Sequence, residues 1–322
     1  MKRRFLATIL FEVAIILFSF DPACAEGPMK ITTGAYIMNL HSLEIKDNTF
    51  KVTLWLWFWH DSKDFSPAET LDVTNAVDFK FSHAGTYEGN SEHPLWSGMK
   101  VIATIKKGYD LAMFPFDRQV LDINFEDSSD ISLVKFEPDK KNSRFDPDIV
   151  INGWKPTGFE VISGEKVYNT TFGDPSLSGK STYSRFTVRM ILQRMGLKIF
   201  ISIISVAIIA YLLSFLSVVV PPREISPKFT LAMCSVAGVV ATKYSIDTRV
   251  PSATDLTLVD KVLIIVFLLI LLNVFINVII TILVFNDKKA QAFKVNRIFS
   301  YIAPLLFIIT LAAFFIFSGI VF

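Results

Sequence analysis

The chain is poor in the residues that build disulfide bonds and metal sites. Only two of its 322 residues are cysteines, Cys24 and Cys234. The four histidines have no metal-ligand spacing: His41, His60, His83 and His93. The sequence contains neither a nucleophile motif nor a complete glycine-rich phosphate loop. We therefore expect no enzyme activity and no cofactor, apart from modulation by Ca²⁺ or another divalent cation.

What the sequence has in abundance is apolar residues, and they are unevenly distributed. Hydrophobic residues make up 52% of the chain, and the long apolar runs come after residue 197. We therefore predict one polar, exported domain over 26–196 and one membrane domain over 197–322. The net charge is +2, and no nucleic acid partner is expected.

The first 25 residues have the pattern of a signal peptide. A basic start at 2–4 precedes a mostly apolar run from 5 to 20, and small residues occupy 23–25. A retained membrane anchor is the alternative, and a lipoprotein attached through Cys24 is a weaker one. Cleavage after residue 25 would leave Cys234 as the single cysteine, so the mature chain could form no internal disulfide.

The stretch 50–59 (FKVTLWLWFW) is the clearest β-strand. Its aliphatic face alternates with a face that carries Trp55, Trp57 and Trp59. Three indoles are too much apolar area to leave in water. This face is therefore either buried within its own domain or meets a neighbouring subunit or ligand.

Further short strands are predicted along the polar domain, and no long helical period appears there. They cover 35–46, 71–82, 99–106, 119–126, 157–168 and 183–194. The stretch 173–182 is rich in Gly, Ser and Pro, which predicts a hairpin tip. Short strands at this spacing predict an all-β, immunoglobulin-like sandwich.

Four apolar stretches of the membrane domain are long enough to cross a bilayer. They cover about 199–220, 229–246, 262–285 and 298–322. The loop before the last stretch is rich in Lys and Arg, which favours the cytoplasmic side. With the first domain exported, an even number of spans returns the C-terminus to the outside.

The second stretch has one helical stripe without a large aliphatic side chain. Its members are Thr230, Cys234, Ala237, Ala241, Tyr244 and Thr248. Such a stripe is typical of a tightly packed helix interface or of a water-lined pore wall. Charges at both ends of the helix favour the pore, which a single helix per chain can build only in a ring of copies.

This order of parts resembles that of the pentameric ligand-gated ion channels. The most specific marks are FPFDRQ at 114–119, Arg194 ahead of the first span and Pro251 beyond the second. WLW at 55–57 and TLVDK at 257–261 are also similar. The resemblance covers nearly the whole predicted mature chain.

Two features are similar to the bacterial branch of this family. The cysteines that close the Phe-Pro-Phe-Asp loop in the animal receptors are replaced by Lys107 and Leu121, and the linker between the third and fourth spans is short. The resemblance implies a homopentamer in the bacterial inner membrane, with the sandwich in the periplasm.

The resemblance also implies roles for residues of the pore. The family's pore-facing positions fall on the stripe described above, and Tyr244 is the expected constriction, which can gate by dewetting. A ring of Glu224 at the cytoplasmic mouth would select monovalent cations. Arg223 and Lys228 would oppose that selectivity if they faced the lumen.

Ligands of the family bind between adjacent sandwiches, where aromatic rings hold a cation. Trp55 and Trp57 are candidates on one side of this interface. The aromatic candidates on the other side are Phe79, Tyr87, Tyr168, Phe172 and Tyr183. The acids Glu126, Asp127 and Asp130 would bind Ca²⁺ or titrate, unless they form an ordinary solvated loop. Protons, divalent cations and small organic molecules, amines among them, all stay open as agonists.

Coupling between the two domains is expected at the Phe-Pro-Phe-Asp loop. It would contact the loop 251–256, and Asp117 would pair with Arg194. The residues assigned to this role are Asp47, Phe114, Pro115, Phe116, Asp117, Arg194 and Pro251. The alternative to a channel is a membrane-anchored β-sandwich that binds a solute or partner without conducting.

Overall fold

The structure is a computed structural model, and it describes residues 27–91, 93–173, 175, 179–248, 250 and 255–318. The predicted signal peptide over 1–25 lies outside the described residues. The described chain consists of a β-rich part that ends at Arg194, followed by a bundle of long apolar helices that begins at Leu197.

The β-rich part has ten strands among its described residues. They are β1 Met29–Glu44, β2 Thr49–His60, β3 Leu71–Val73, β4 Ala76–Glu88, β5 Leu95–Lys106, β6 Arg118–Asp127, β7 Val134–Pro138, β8 Arg144–Phe145, β9 Trp154–Tyr168 and β10 Ser181–Arg194. One short helix, α1 (Pro67–Thr70), joins β2 to β3.

These strands form two sheets. The first has the order β4-β5-β2-β1-β7, with β8 also paired to β1, and the second has the order β3-β6-β10-β9. All pairings are antiparallel except those of β7 and β8 with β1. Rings from both sheets meet in the core, where Phe136 of the first contacts Phe186 of the second at 6.5 Å between centroids. The predicted sandwich architecture is confirmed.

The prediction of a single strand over 71–82 is wrong. β3 pairs with β6 in one sheet, whereas β4 pairs with β5 in the other. Asn75 lies between them, and its amide side chain bonds the backbone of Asp122 and Asn124. Because this side chain replaces a strand partner, the chain can leave one sheet and enter the next.

Four helices are long and apolar enough to cross a membrane, which makes the chain a multi-pass membrane protein. They are α2 Leu197–Val219, α3 Ile225–Asp247, α4 Leu258–Phe285 and α5 Lys289–Ser318. All four begin before the predicted apolar stretches, because the first turn of each helix includes polar or charged residues that are helical. At α4, Thr257 and Asp260 form a reciprocal capping box that fixes the start.

Candidate functional site

The stripe predicted on the second span lies on the exposed face of α3. All six of its side chains are exposed: Thr230, Cys234, Ala237, Ala241, Tyr244 and Thr248. The opposite face is buried and includes Ala232, Ser235, Val239, Thr242 and Ile246. Small residues on that buried face permit close packing, since a Cβ on Gly238 would lie 3.3 Å from Ala210 of α2. Within one chain, α3 therefore uses its other face for helix packing and leaves the stripe uncovered.

The charged residues at the start of α3 point in different directions. Glu224 is exposed and occupies the position just before the first helical residue. Arg223 is exposed too, with its guanidinium 5.9 Å from the ring centre of Phe293 on α5. Lys228 is fully buried in the bundle. Lys228 therefore does not lie on the exposed stripe. Its ammonium points into the bundle, away from the face that would line a pore.

At the other end of α3, a lysine joins two helices. The ammonium of Lys243 contacts Asp247 one turn further along α3 at 2.5 Å and Asp260 at the start of α4 at 2.8 Å. The Asp260 carboxylate also accepts from Thr257 in the capping box. Charges at this end of the helix could be read from the sequence, but the pairing of Lys243 with Asp247 and Asp260 could not be predicted from it.

The predicted pair between Asp117 and Arg194 is present at the junction of the two parts. The Nε atom of Arg194 donates to Oδ1 of Asp117 at 2.6 Å, and the second guanidinium arm donates to Oδ2 at 3.1 Å. Gln119 donates to the same carboxylate at 2.7 Å. The guanidinium also lies 4.1 Å from the ring centre of Trp154, a partner that the sequence did not suggest.

The Phe-Pro-Phe-Asp loop packs against the start of α2. Phe114 is buried in the same apolar cluster as helix residues, and the ring of Phe116 lies 5.2 Å from that of Phe200. The approach is closest at Gly196, where an added Cβ would lie 1.8 Å from the carbonyl oxygen of Pro115. Only glycine fits at this position, so the loop is in direct backbone contact with the first membrane helix.

The other residues assigned to coupling are placed differently. Asp47 is exposed in the turn between β1 and β2, and within the described structure its carboxylate is not a partner of Arg194. Pro251 lies outside the described residues. Val250, three residues beyond the end of α3, and Ile246 in its last turn belong to the same apolar cluster as Phe114, so the loop and the end of α3 meet in one core.

Five predicted ligand residues line a single open cavity of about 450 Å³ beside the β9–β10 hairpin tip. They are Glu126, Asp127, Tyr168, Phe172 and Tyr183. The three aromatic rings contact one another, with centroids 5.3 to 6.3 Å apart. Asp72, Thr74 and Ser128 complete the lining and were not predicted. Asp72 and Thr74 lie on or next to β3, which reaches this cavity only through the fold.

The cavity carries more negative than positive groups. Glu126 pairs with Arg185 and accepts from the Tyr168 hydroxyl at 3.0 Å. Burial, together with this carboxylate, raises the pKa of Tyr168. Asp127 and Asp72 have no arginine or lysine partner among the described ion pairs. The hydroxyl of Thr74 is buried without a hydrogen-bond partner in the described structure, which leaves one free polar group in the wall.

The remaining ligand candidates lie elsewhere. Trp55, Trp57, Phe79 and Tyr87 all belong to the first sheet, on β2 and β4, and none of them lines this cavity. Asp130 is outside the cavity lining, and the backbone N–H of Ser132 lowers its pKa. In the described part of the chain, no group of three metal-ligating side chains is present.

No family model matches the chain, and no curated protein matches it. Its function is therefore inferred from its own residues. A β-rich domain joined to four membrane-spanning helices is compatible with a membrane channel or receptor.

Proposed function

We propose that the chain is one subunit of a homopentameric ligand-gated ion channel of the bacterial type, with α3 lining the pore. The observation that carries this proposal is the exposed stripe of α3. Its six side chains are small, hydroxylated or aromatic, and none is a large aliphatic residue. By contrast, the exposed face of α5 is aliphatic, with Leu305, Ile308 and Ile309, as expected for contact with lipid. A ring of copies would surround water with the α3 stripes.

Cation selectivity is the second part of the proposal. Glu224 is exposed at the cytoplasmic end of α3, so five copies would place a ring of carboxylates at the pore mouth. Lys228 is buried in the bundle, and the Arg223 guanidinium lies against Phe293. Lys228 therefore does not oppose the proposed Glu224 ring, whereas the exposed Arg223 beside it would reduce the preference for monovalent cations over anions.

The stimulus is proposed to act at the cavity beside the hairpin tip. Three contacting aromatic rings and an excess of carboxylates suit a small organic cation such as an amine, through cation–π attraction and charge. The adjacent subunit would add Trp55 and Trp57 from its first sheet. Protons and divalent cations would act through the same carboxylates and are the other agonists to be tested.

Coupling is proposed to pass from the sandwich to the helices through the Phe-Pro-Phe-Asp loop. The loop contacts α2 at Phe200 and is tied to the end of β10 by the Asp117–Arg194 pair. A ligand that binds one arrangement of the sandwiches more tightly than another would shift the pore between closed and open states by that difference in affinity.

The test is current through purified protein in planar bilayers, with amines, protons and divalent cations screened in turn. Cys24→Ser leaves Cys234 as the single thiol of the chain. A small cationic thiol reagent should then block the current, and Cys234→Ser should remain conducting and resistant. A monodisperse protein that binds an amine without carrying current would instead support the non-conducting receptor.

A further inference from the structure

The least expected group in the membrane domain is the ammonium of Lys228, which is fully buried. It donates to the backbone oxygens of Ser217 at 3.0 Å and Val218 at 3.3 Å. It also lies 2.8 Å from Oδ1 of Asn296 and 3.3 Å from Oδ1 of Asn277. We call these four oxygens the oxygen cage. No carboxylate is among the partners of this ammonium within the described part of the chain.

The sequence explains why two of these oxygens need a donor. Ser217 and Val218 are in the last turn of α2, where each carbonyl would accept from the N–H four residues later. Those residues are Pro221 and Pro222, and proline has no N–H. The two carbonyls are therefore left unpaired by the backbone, and the Lys228 side chain supplies the missing donor. The negative end of the α2 dipole also favours a cation there.

The two amide oxygens extend the cage to the other helices. Asn277 belongs to α4 and Asn296 to α5. The amide nitrogen of Asn277 donates to the Ser217 hydroxyl at 2.7 Å, which fixes the side-chain orientation that presents its oxygen. Lys228 on α3 is thus bonded to each of the other three helices at their cytoplasmic end.

We propose that Lys228 is a positioning residue that sets the rotation of α3 about its own axis. A buried charge without its hydrogen-bond partners is strongly unfavourable. Rotation of the cytoplasmic half of α3 would pull the ammonium from the cage and leave the two α2 carbonyls unpaired. The cage therefore keeps the stripe with Thr230 and Cys234 on the exposed side and keeps a positive charge away from that side.

The consequence for motion is that the two halves of α3 are held by different kinds of polar contact. The cytoplasmic half is held by four bonds to the cage. The outer half is held by Lys243, whose side chain is 45% exposed and is accessible to water. Conformational changes of the helix are then expected at its outer half, near Tyr244, while the cytoplasmic half keeps its rotation.

The test uses thiol reactivity, which requires no current and so stands apart from the proposed channel function. In a Cys24→Ser background, Cys234 reports the exposed face. Cys234→Ser combined with Ser235→Cys reports the buried face, since Ser235 is fully buried. With Lys228 present, the thiol at 234 should react about tenfold faster than the thiol at 235 in the purified full-length protein. In Lys228→Met the two rates should converge, whereas the exposed-lysine control Lys288→Met should keep the tenfold difference.

A second variant tests the cage if Lys228→Met does not fold. Asn296→Asp gives the ammonium a carboxylate partner, so it should raise the thermal unfolding midpoint. The same change in a Lys228→Arg background should have a smaller effect, because the longer guanidinium cannot occupy the cage in the same way. An unchanged ratio of thiol rates in folded Lys228→Met would overturn the proposal. So would a lowered midpoint for Asn296→Asp alone.

Discussion

The Arg194 guanidinium holds both carboxylate oxygens of Asp117 across the junction between the β-sandwich and the first membrane helix. Both side chains are almost fully buried, and the backbone N–H of Arg194 also donates to the carbonyl oxygen of Asp117 at 3.0 Å. A bidentate pair of this kind fixes orientation as well as distance. These contacts therefore tie the end of β10 to the Phe-Pro-Phe-Asp loop.

Asp117→Ala should destabilise the protein and weaken the coupling between the β-sandwich and the membrane helices. Breaking a buried pair by removing one partner costs about 3–5 kcal/mol, because the remaining Arg194 charge is left without its carboxylate. We expect a lower thermal midpoint and severely impaired gating in the bilayer assay, with oligomers still formed. Asp47→Ala removes an exposed carboxylate and should change neither. Wild-type currents from Asp117→Ala would refute the coupling role.

Tyr244→Ala should increase the basal ion flux several-fold, if a ring of Tyr244 side chains forms the constriction. Tyr244 is 73% exposed in the single chain, so its removal should leave the fold intact. Flux from loaded liposomes without ligand measures this directly. Tyr301→Ala on α5 removes a ring that is 69% exposed and is the matched control. Equal flux in both variants would show that other residues form the constriction.

Glu224→Gln should lower the cation-to-anion permeability ratio several-fold, because the substitution neutralises the proposed carboxylate ring at the pore mouth with little change in side-chain size. The measurement is the reversal potential in a KCl gradient. Asp287→Asn neutralises an exposed acid between α4 and α5 and should leave the reversal potential unchanged. An unaltered value in Glu224→Gln would assign selectivity to other residues.

His60 should make the stability of the sandwich depend on pH. It is fully buried, with Nδ1 2.7 Å from the Ser62 carbonyl and Nε2 2.8 Å from the Ser97 hydroxyl, and burial lowers its pKa below the ordinary value of 6.5. The unfolded chain then binds the proton more readily than the folded chain. Stability is fully present above pH 6.5 and falls as the pH drops below it.

The check on His60 is thermal unfolding across this pH range. His60→Gln should reduce the fall in the unfolding midpoint between pH 7.5 and pH 5.5. The exposed His83 gives the control His83→Gln, which should retain it. A wild-type midpoint that rises on acidification would contradict the assignment.

Local patterns predicted most of the elements but few of their partners. Alternation over 50–59 identified β2, because a strand with one buried face must alternate. The division of 71–82 between two sheets depends on Asn75, whose bonds to Asp122 and Asn124 join residues far apart in sequence. The cavity also depends on contacts between residues far apart in sequence. Its aromatic residues beside the hairpin tip could be predicted from the sequence, whereas Asp72 and Thr74 could not.

The sequence of the membrane part contains a further signal of buried polar contacts. Asn273 and Asn277 are four residues apart in a largely apolar span, and polar side chains within membrane helices usually face the bundle interior. The proline pair at 221–222 also marks two carbonyls without backbone donors. Together these features indicate a buried polar partner, but only the packing of four helices identifies Lys228 as that partner.

By itself, the sequence determined the division into a β-rich and a membrane part, the four spans and the stripe of α3, since each follows from hydrophobicity and period along a continuous segment. The tertiary structure decided which way each charge points. Glu224 and Lys228 are four residues apart, yet one is exposed and the other is fully buried. The difference arises because Lys228 finds four oxygen partners on neighbouring helices, and a buried ammonium is stable only where such partners compensate for the loss of water.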